Sequence, residues 1–82
     1  MSKDELYRKI KESRVHVTVN DLIKVLVNYG FQLRRTSKNH YIAQYKHHII
    51  SFAPPHPGKF VKKPYVNEVL KMIENVIRER GN

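Results

Sequence analysis

Cysteine is missing from this chain. Without thiols, neither a disulfide framework nor a thiolate metal site can hold the fold together, so the packing of helices and sheet must do so. Long apolar runs are missing too, since none approaches the roughly 20 residues that cross a bilayer. The polar and acidic segment from Met1 to Glu5 lacks the apolar middle of a signal peptide. We therefore expect a cytoplasmic protein that does not enter a membrane.

Acidic side chains are scarce. The chain has 7 Asp and Glu against 16 Lys and Arg, which gives a formal net charge of +9 and a pI near 10.1. The 82 residues form at most one domain, which buries only about two-thirds of the surface that its unfolded chain exposes. On so small a body the charge is a strong positive field. A basic protein can be merely soluble, but the charge favours nucleic acid over other partner classes.

The first predicted helix runs from Ser2 to Ser13. Ser2 and Glu5 have the spacing of a capping box, and a narrow apolar stripe follows at Leu6, Tyr7 and Ile10. A helix of this length is marginal in isolation, so it must dock on the rest of the chain or fray. The next segment, Arg14 to Val17, is compatible with a linker or a brief strand.

The second predicted helix runs from Val19 to Tyr29. Thr18 and Asp21 form another cap pattern ahead of it. Its apolar residues recur at helical spacing, at Leu22, Ile23, Leu26 and Val27. Gly30 follows the last of these, where a left-handed residue commonly ends a helix.

Three strands are predicted after Gly30, because the apolar residues then recur with a period of two. They run from Phe31 to Thr36, from His40 to Lys46 and from His48 to Ala53, with turns at Ser37-Lys38-Asn39 and near Lys46-His47. The positions predicted to face the core are Phe31, Leu33, Tyr41, Ala43, Tyr45, Ile50 and Phe52. Prolines end the third strand, because they cannot donate to the ladder; they are Pro54, Pro55 and Pro57.

A final helix is predicted from Pro64 to a point between Glu79 and Gly81, after a basic loop from Gly58 to Lys63. Its apolar stripe consists of Val66, Val69, Leu70, Ile73, Val76 and Ile77. The order of elements predicts a two-layer α+β fold: a three-stranded antiparallel sheet with helices on one face, and an extra helix in front. The other face of the sheet is left open to a ligand.

His40 is the candidate catalytic residue. RNA can be cut without a metal, because its own 2′-OH is a nucleophile. A protein need only remove that proton, donate one to the leaving 5′-oxygen and stabilise the charge on the phosphorane. Histidine titrates near neutral pH and can serve as the base or the acid. The alternative is an ordinary surface histidine in a polar turn.

The candidate substrate-binding residues are cations and fixed donors that could hold phosphate oxygens. Those near the predicted turn are Arg34, Arg35, Lys38 and Asn39, and those of the basic loop are Lys59, Lys62 and Lys63. For any single lysine, the favoured interpretation is a solvated cationic surface. Tyr41 and Tyr45 could stack on bases, but their alternation along the strand favours the core.

No metal site and no cofactor are predicted. His47 and His48 are adjacent, so on a strand they would point to opposite faces and could not form one metal pair. The carboxylates are scattered, and no spacing is typical of a metal site. His56 could contact RNA or shape the site, although a packing role between its flanking prolines is favoured. His16 is interpreted as a linker residue.

The combination of motifs resembles the HicA toxins. A helix, Gly30-Phe31, a strand and then Ser37-Lys38-Asn39-His40 occur in the family's order, where the turn is usually Gly-Ser-Asn-His or Gly-Ser-His-His. A strand that ends in Pro-x-His-Pro is a second family feature, and Pro54-Pro55-His56-Pro57 matches it. The resemblance covers roughly Thr18 to Ile77.

This resemblance implies a double-stranded-RNA-binding-domain-like α-β-β-β-α fold over residues 17–82, with residues 1–16 as an N-terminal helical extension. It implies a metal-independent mRNA interferase of a toxin–antitoxin system, in which His40 is catalytic and a HicB-type antitoxin covers the site. Ser37 and Lys38 depart from the family's Gly and Ser. If that glycine needs a positive φ, Ser37 would be strained.

Two other functions fit the same pattern. One is a non-catalytic module that binds structured RNA by shape and backbone contacts. The other is an interaction module that does not bind nucleic acid. For such a module, the response of RNA binding to salt would be flat. The sequence does not indicate an oligomeric state or an RNA sequence preference.

Overall fold

The computed structural model describes residues 3–55 and 58–81. The elements along the chain are α1 (Lys3–Glu12), α2 (Val19–Asn28), β1 (Gln32–Arg35), β2 (Tyr41–Tyr45), β3 (His48–Phe52) and α3 (Lys63–Gly81). The predicted α+β class is confirmed: the strands form one antiparallel sheet in the order β1-β2-β3. Each strand is one or two residues shorter than predicted. None of the helices in the described ranges is both long and apolar enough for a membrane span.

The two faces of the sheet differ in burial. On one face Ala43 pairs with Ile50, and both are buried together with Phe52. On the other face Gln44 pairs with Ile49, and both are exposed. The helices therefore cover one face, as predicted, and the second face is open. Contacts of α2 with β1 and of α3 with β3 join the two layers.

Helix α2 begins at the predicted cap. The Thr18 side chain accepts a hydrogen bond from the Asp21 backbone, and the Asp21 carboxylate accepts one from the Thr18 N–H. The predicted apolar stripe was wrong at Val27, which is 54% exposed. The buried residues are Leu22, Val25 and Leu26. Position 27 lies a further 100° around the helix from Leu26, which turns it away from the sheet.

Helix α1 docks on the rest of the domain. Ile10 is 3% exposed and belongs to the core, and Leu6 and Tyr7 pack against it. The Tyr29 hydroxyl donates to Asp4 Oδ1 at 2.7 Å, which ties α1 to the end of α2. The helix ends at Glu12, one residue earlier than predicted. The proposed cap, Ser2, lies outside the described residues.

The segment between α1 and α2 is a turn rather than a free linker or a full strand. Its last residue, Val17, is buried, and the Val61 N–H donates to the Val17 carbonyl at 2.7 Å. Thr18 forms an isolated β-bridge with Phe60. These bonds attach the basic loop to the start of α2.

Helix α3 packs along the sheet through the predicted stripe, with one exception. Val66, Val69, Leu70, Ile73 and Val76 are buried. Ile77 was predicted to join them but is 37% exposed, because it lies beyond the edge of the stripe. Glu74 and Arg78, four residues apart on the exposed side of α3, form an ion pair with Arg78 Nη2 and Glu74 Oε1 3.1 Å apart.

The last turn of α3 is bound to the sheet by polar contacts. His48 is buried at the start of β3, and its Nε2 donates to Glu79 Oε1 at 3.0 Å. This hydrogen bond is the main cause that lowers the pKa of the Glu79 carboxyl. The sequence prediction had named only Ile50 and Phe52 as inward residues of β3. It therefore missed the buried His48.

Candidate functional site

His40 follows a turn that Thr36 organises. The Thr36 N–H donates to the His40 carbonyl at 2.8 Å, and the Thr36 carbonyl accepts from the Asn39 N–H at 3.0 Å. The Thr36 hydroxyl accepts two more hydrogen bonds, from the Lys38 N–H at 3.2 Å and from the His40 N–H at 3.1 Å. Both the N–H and the carbonyl of His40 are thus hydrogen-bonded to Thr36. Sequence analysis had not selected Thr36, although threonine hydroxyls are known to bond the backbone of turns.

The strained position of this turn is Asn39 rather than Ser37. Asn39 has a φ of 68°, and Ser37 is not among the described non-glycine residues with positive φ. Asparagine tolerates the left-handed region better than most residues, because its short polar side chain can bond locally. The expectation that Ser37 would be strained in place of a glycine is therefore not met.

The His40 side chain is exposed at the end of the β1–β2 hairpin. Within residues 3–55 and 58–81, no hydrogen bond or ion pair to its imidazole is formed. A ligand can therefore reach both ring nitrogens. The neighbouring side chains of Ser37, Lys38 and Asn39 are also exposed.

Several elements meet at the His40 end of the sheet. Tyr41, the next residue, pairs with Arg35 on one side and with Phe52 on the other. A groove beside it brings together the start of α2 and the segment after β3; its lining residues are Thr18, Val19, Asn20, Tyr41, Pro55, Gly58 and Lys59. The last turn of α3 contacts His48 at the opposite end of the sheet. Because this helix of 19 residues is about 28 Å long, its first turn lies at the His40 end.

The predicted cations are distributed unevenly around this end. The Arg35 guanidinium lies over the Tyr41 ring, 5.0 Å from its centroid, and Lys59 Nζ lies 5.3 Å from that of Phe60. Lys38 is exposed in the turn, Lys62 is exposed before α3, and Lys63 is exposed as the first residue of α3. Arg34 projects from the open face of the sheet, because neighbouring strand residues alternate. His56 lies outside the described residues.

The tyrosines of β2 pack against the core, on the side that the alternation favoured. Tyr41 stacks on Phe52 with ring centroids 5.4 Å apart, and Tyr45 packs against Phe31 at 5.7 Å. Both are half-buried. Their outer faces carry cations, Arg35 on Tyr41 and Arg80 on Tyr45.

The prediction that His47 and His48 point to opposite faces was wrong. His47 lies in the β2–β3 turn rather than on the strand, so the alternation rule does not apply to it. The two ring centroids are 4.2 Å apart. Together with Glu79 they form a group whose ligand atoms all lie within 4.8 Å of one another.

The fold and this end of the sheet define a small basic α+β domain with an exposed histidine on a Thr36-bound hairpin turn. A family model described as the HicA toxin of bacterial toxin–antitoxin systems matches residues 19–74, more than half of the chain. The chain belongs to this family and is therefore a toxin of a toxin–antitoxin system, with an antitoxin as its partner. The match begins after α1. No curated protein and no solved structure matches the chain.

Proposed function

We propose that this toxin is a metal-independent endoribonuclease that cuts mRNA in the cytoplasm, with His40 as general acid or base. The observation that carries the proposal is the exposed imidazole of His40 on a turn whose backbone forms four hydrogen bonds with Thr36. The working unit is residues 17–82. Residues 1–16 are an extension that stabilises it through Ile10.

The reaction uses the nucleophile that RNA carries. The 2′-oxygen attacks the adjacent phosphorus, its proton leaves, and the bond from phosphorus to the 5′-oxygen breaks as that oxygen gains a proton. The products are a 2′,3′-cyclic phosphate and a 5′-hydroxyl. One imidazole performs one of the two proton transfers, and solvent performs the other. Histidine suits either role because it titrates near neutral pH.

The cations at the same end would hold the phosphates. Lys38 and Asn39 lie within two residues of His40 and are exposed, so they can reach the non-bridging oxygens of the scissile group. Arg35 is held over Tyr41. This contact limits its motion and leaves the guanidinium edge available for a bidentate phosphate contact. The flanking phosphates would contact Arg34, His56, Lys59, Lys62 and Lys63.

The test is RNA cleavage in excess EDTA by the wild type and by His40→Ala. We expect the wild type to produce fragments with 2′,3′-cyclic phosphate ends and His40→Ala to produce none above background. His16→Ala is the matched control, because His16 is also exposed but packs edge-on against Phe60. Equal cleavage by wild type and His40→Ala would remove His40 from the mechanism. A wild type that retards RNA without cutting it would favour the structured-RNA-binding alternative.

The antitoxin partner is proposed to be a HicB-type protein that covers the His40 end with an acidic surface. Complementary charge accelerates association and excludes RNA from the same residues. We expect Lys59→Glu to slow association with the antitoxin more than Lys24→Glu does, because Lys24 lies on the side of α2 that faces α1. Equal association rates for the two variants would place the antitoxin elsewhere.

A further inference from the structure

Three metal-ligating side chains meet at the end of the sheet opposite His40. His47 is in the β2–β3 turn, His48 opens β3, and Glu79 lies in the last turn of α3. His48 Nε2 is 3.0 Å from Glu79 Oε1, and His47 Nε2 is 3.8 Å from Glu79 Oε2. The three groups come from two separate parts of the chain, 31 residues apart for His48 and Glu79.

The distances fit a small coordination sphere. In tetrahedral zinc sites with bonds near 2.0–2.1 Å, neighbouring ligand atoms are about 3.4 Å apart. The two measured separations fall on either side of this value, and all three ligand atoms lie within 4.8 Å of one another. Small rotations of His47 and Glu79 would therefore place the three atoms around one ion. Both residues have room to rotate, because their side chains are 75% and 49% exposed.

The chemistry of the ligands also suits a transition metal. Two imidazoles and one carboxylate are typical ligands of zinc and its neighbours in the first row. His48 is only 9% exposed, so the core fixes the position of one ligand before any ion arrives. Lys46 is close enough to act electrostatically on Glu79 and opposes a cation there, which limits the affinity.

We propose that His47, His48 and Glu79 bind a divalent first-row transition-metal ion such as zinc. The ion replaces the proton that His48 and Glu79 share and connects the β2–β3 turn to the end of α3. Its role is structural, because β2 separates His47 from His40 by about 20 Å of extended chain. The proposal is independent of the ribonuclease reaction, which needs no metal.

The test uses the untagged full chain, first treated with EDTA and then dialysed. Zinc chloride is titrated into the protein by calorimetry, and thermal unfolding is followed in parallel. We expect one ion per chain and a Tm that rises by roughly 10 °C at about a hundredfold excess over the Kd. Cobalt should give the intense visible absorption of a low-coordinate site with nitrogen and oxygen ligands.

The decisive variant is His47→Gln, because His47 is exposed and its loss leaves the metal-free fold intact. It should unfold at the wild-type Tm in EDTA and lose the zinc-dependent rise. Glu79→Gln should also lose the rise, whatever its Tm in EDTA. His16→Gln is the matched control and should keep the full rise. Absence of zinc binding by the wild type, or an undiminished zinc-dependent rise in the Tm of His47→Gln, would overturn the proposal. Neither outcome bears on RNA cleavage in EDTA, which tests the ribonuclease proposal separately.

Discussion

Arg80, near the end of the last helix, donates a hydrogen bond to the backbone carbonyl of Tyr29, the C-cap residue of α2. Its guanidinium also lies 4.8 Å from the centroid of the Tyr45 ring. Gly30 sits beneath this contact with a φ of 99°. A Cβ atom at position 30 would be 2.9 Å from Arg80 Nη2 and 3.0 Å from the Tyr45 ring. The end of α3, the end of α2 and strand β2 therefore meet at a glycine.

Gly30→Ala is expected to lower the free energy of unfolding by about 2–4 kcal/mol, because positive φ and a steric clash add together. The Tyr45 ring cannot move away easily, since Phe31 packs on it. Gly58→Ala is the matched control: Gly58 has a φ of 110°, but apart from its chain neighbours no atom of the described residues lies within 4 Å of the added Cβ. It should cost only about 1–2 kcal/mol, the backbone part. Urea unfolding measures both, and equal losses would contradict the clash.

Thr36→Val should weaken RNA cleavage without removing His40. Valine keeps the shape of threonine but cannot accept the hydrogen bonds from Lys38 and His40. We expect a loss of about 1 kcal/mol in stability and a fall in cleavage rate of about tenfold to a hundredfold, since the catalytic group is less well placed. Thr36→Ser restores the acceptor and should recover most of the rate. A Val variant as active as Ser would show that the turn does not position His40.

Restoring the family's glycine at position 37 should not stabilise the protein. Ser37 does not have a positive φ, so Ser37→Gly only adds freedom to the unfolded chain and should cost about 0.5 kcal/mol. Asn39 carries the positive φ of 68° instead. Asn39→Gly should therefore be nearly neutral, whereas Asn39→Val should cost about 1–2 kcal/mol. Thermal unfolding of the three variants gives the order, and a stabilising Ser37→Gly would contradict the assignment.

The protein should lose stability in alkali through Tyr29. Burial, followed by the hydrogen bond to Asp4 and the charges of Asp4 and Tyr7, raises the pKa of Tyr29 above its ordinary value of 10.0, while Arg80 lowers it. The raised pKa favours the neutral phenol in the folded state. The stabilisation that the neutral Tyr29 phenol contributes is complete below pH 10 and is lost as the pH rises toward the folded-state pKa of Tyr29.

Urea unfolding between pH 8 and pH 11 tests this, at about one-unit steps. The free energy of unfolding should fall less steeply above pH 10 in Tyr29→Phe, which keeps the ring but has no ionisable hydroxyl. Tyr7→Phe is a useful companion, because burial also raises the pKa of Tyr7 and its ring packs edge-on against Tyr29 at 5.9 Å. Parallel slopes for the wild type and Tyr29→Phe would refute the prediction.

Lys38 should act on RNA as a point charge. In a His40→Ala background, which prevents cleavage during the measurement, Lys38→Ala should weaken binding to single-stranded RNA. It should also reduce the slope of log K against log salt by about 0.7, the value for one released counterion. Lys24→Ala, an exposed lysine between α1 and α2, should leave the slope unchanged. Equal slopes for the two lysine variants would exclude Lys38 from the phosphate contacts.

Periodicity and caps were sufficient to predict the elements of this fold. The capping box of Thr18 and Asp21 forms as predicted, and the period-two pattern placed Ala43, Ile50 and Phe52 correctly in the core. Errors occur at the margins of helices, where Val27 and Ile77 are exposed although they continue an apolar run. The width of a helix face that is covered depends on how its neighbours pack, and a one-dimensional pattern does not contain that information.

The candidate site was predicted only in part. The motif around His40 indicated the family and the turn, and the match over residues 19–74 confirms the family. The role of Thr36 depends on four hydrogen bonds within the turn: two are accepted by its hydroxyl and two are made by its backbone. The catalytic role of His40 stays a proposal.

The sequence alone determined the order of helices and strands, the open sheet face and the position of the histidine-bearing turn, because these follow from local propensity and from the alternation of apolar residues. Only the tertiary structure decided which distant side chains meet. His47 and His48 joined Glu79, and Arg80 reached Tyr29, because α3 runs back along the sheet and brings its last turn to the β2–β3 end. Long-range contacts of this kind arise from chain packing, which local sequence patterns do not encode.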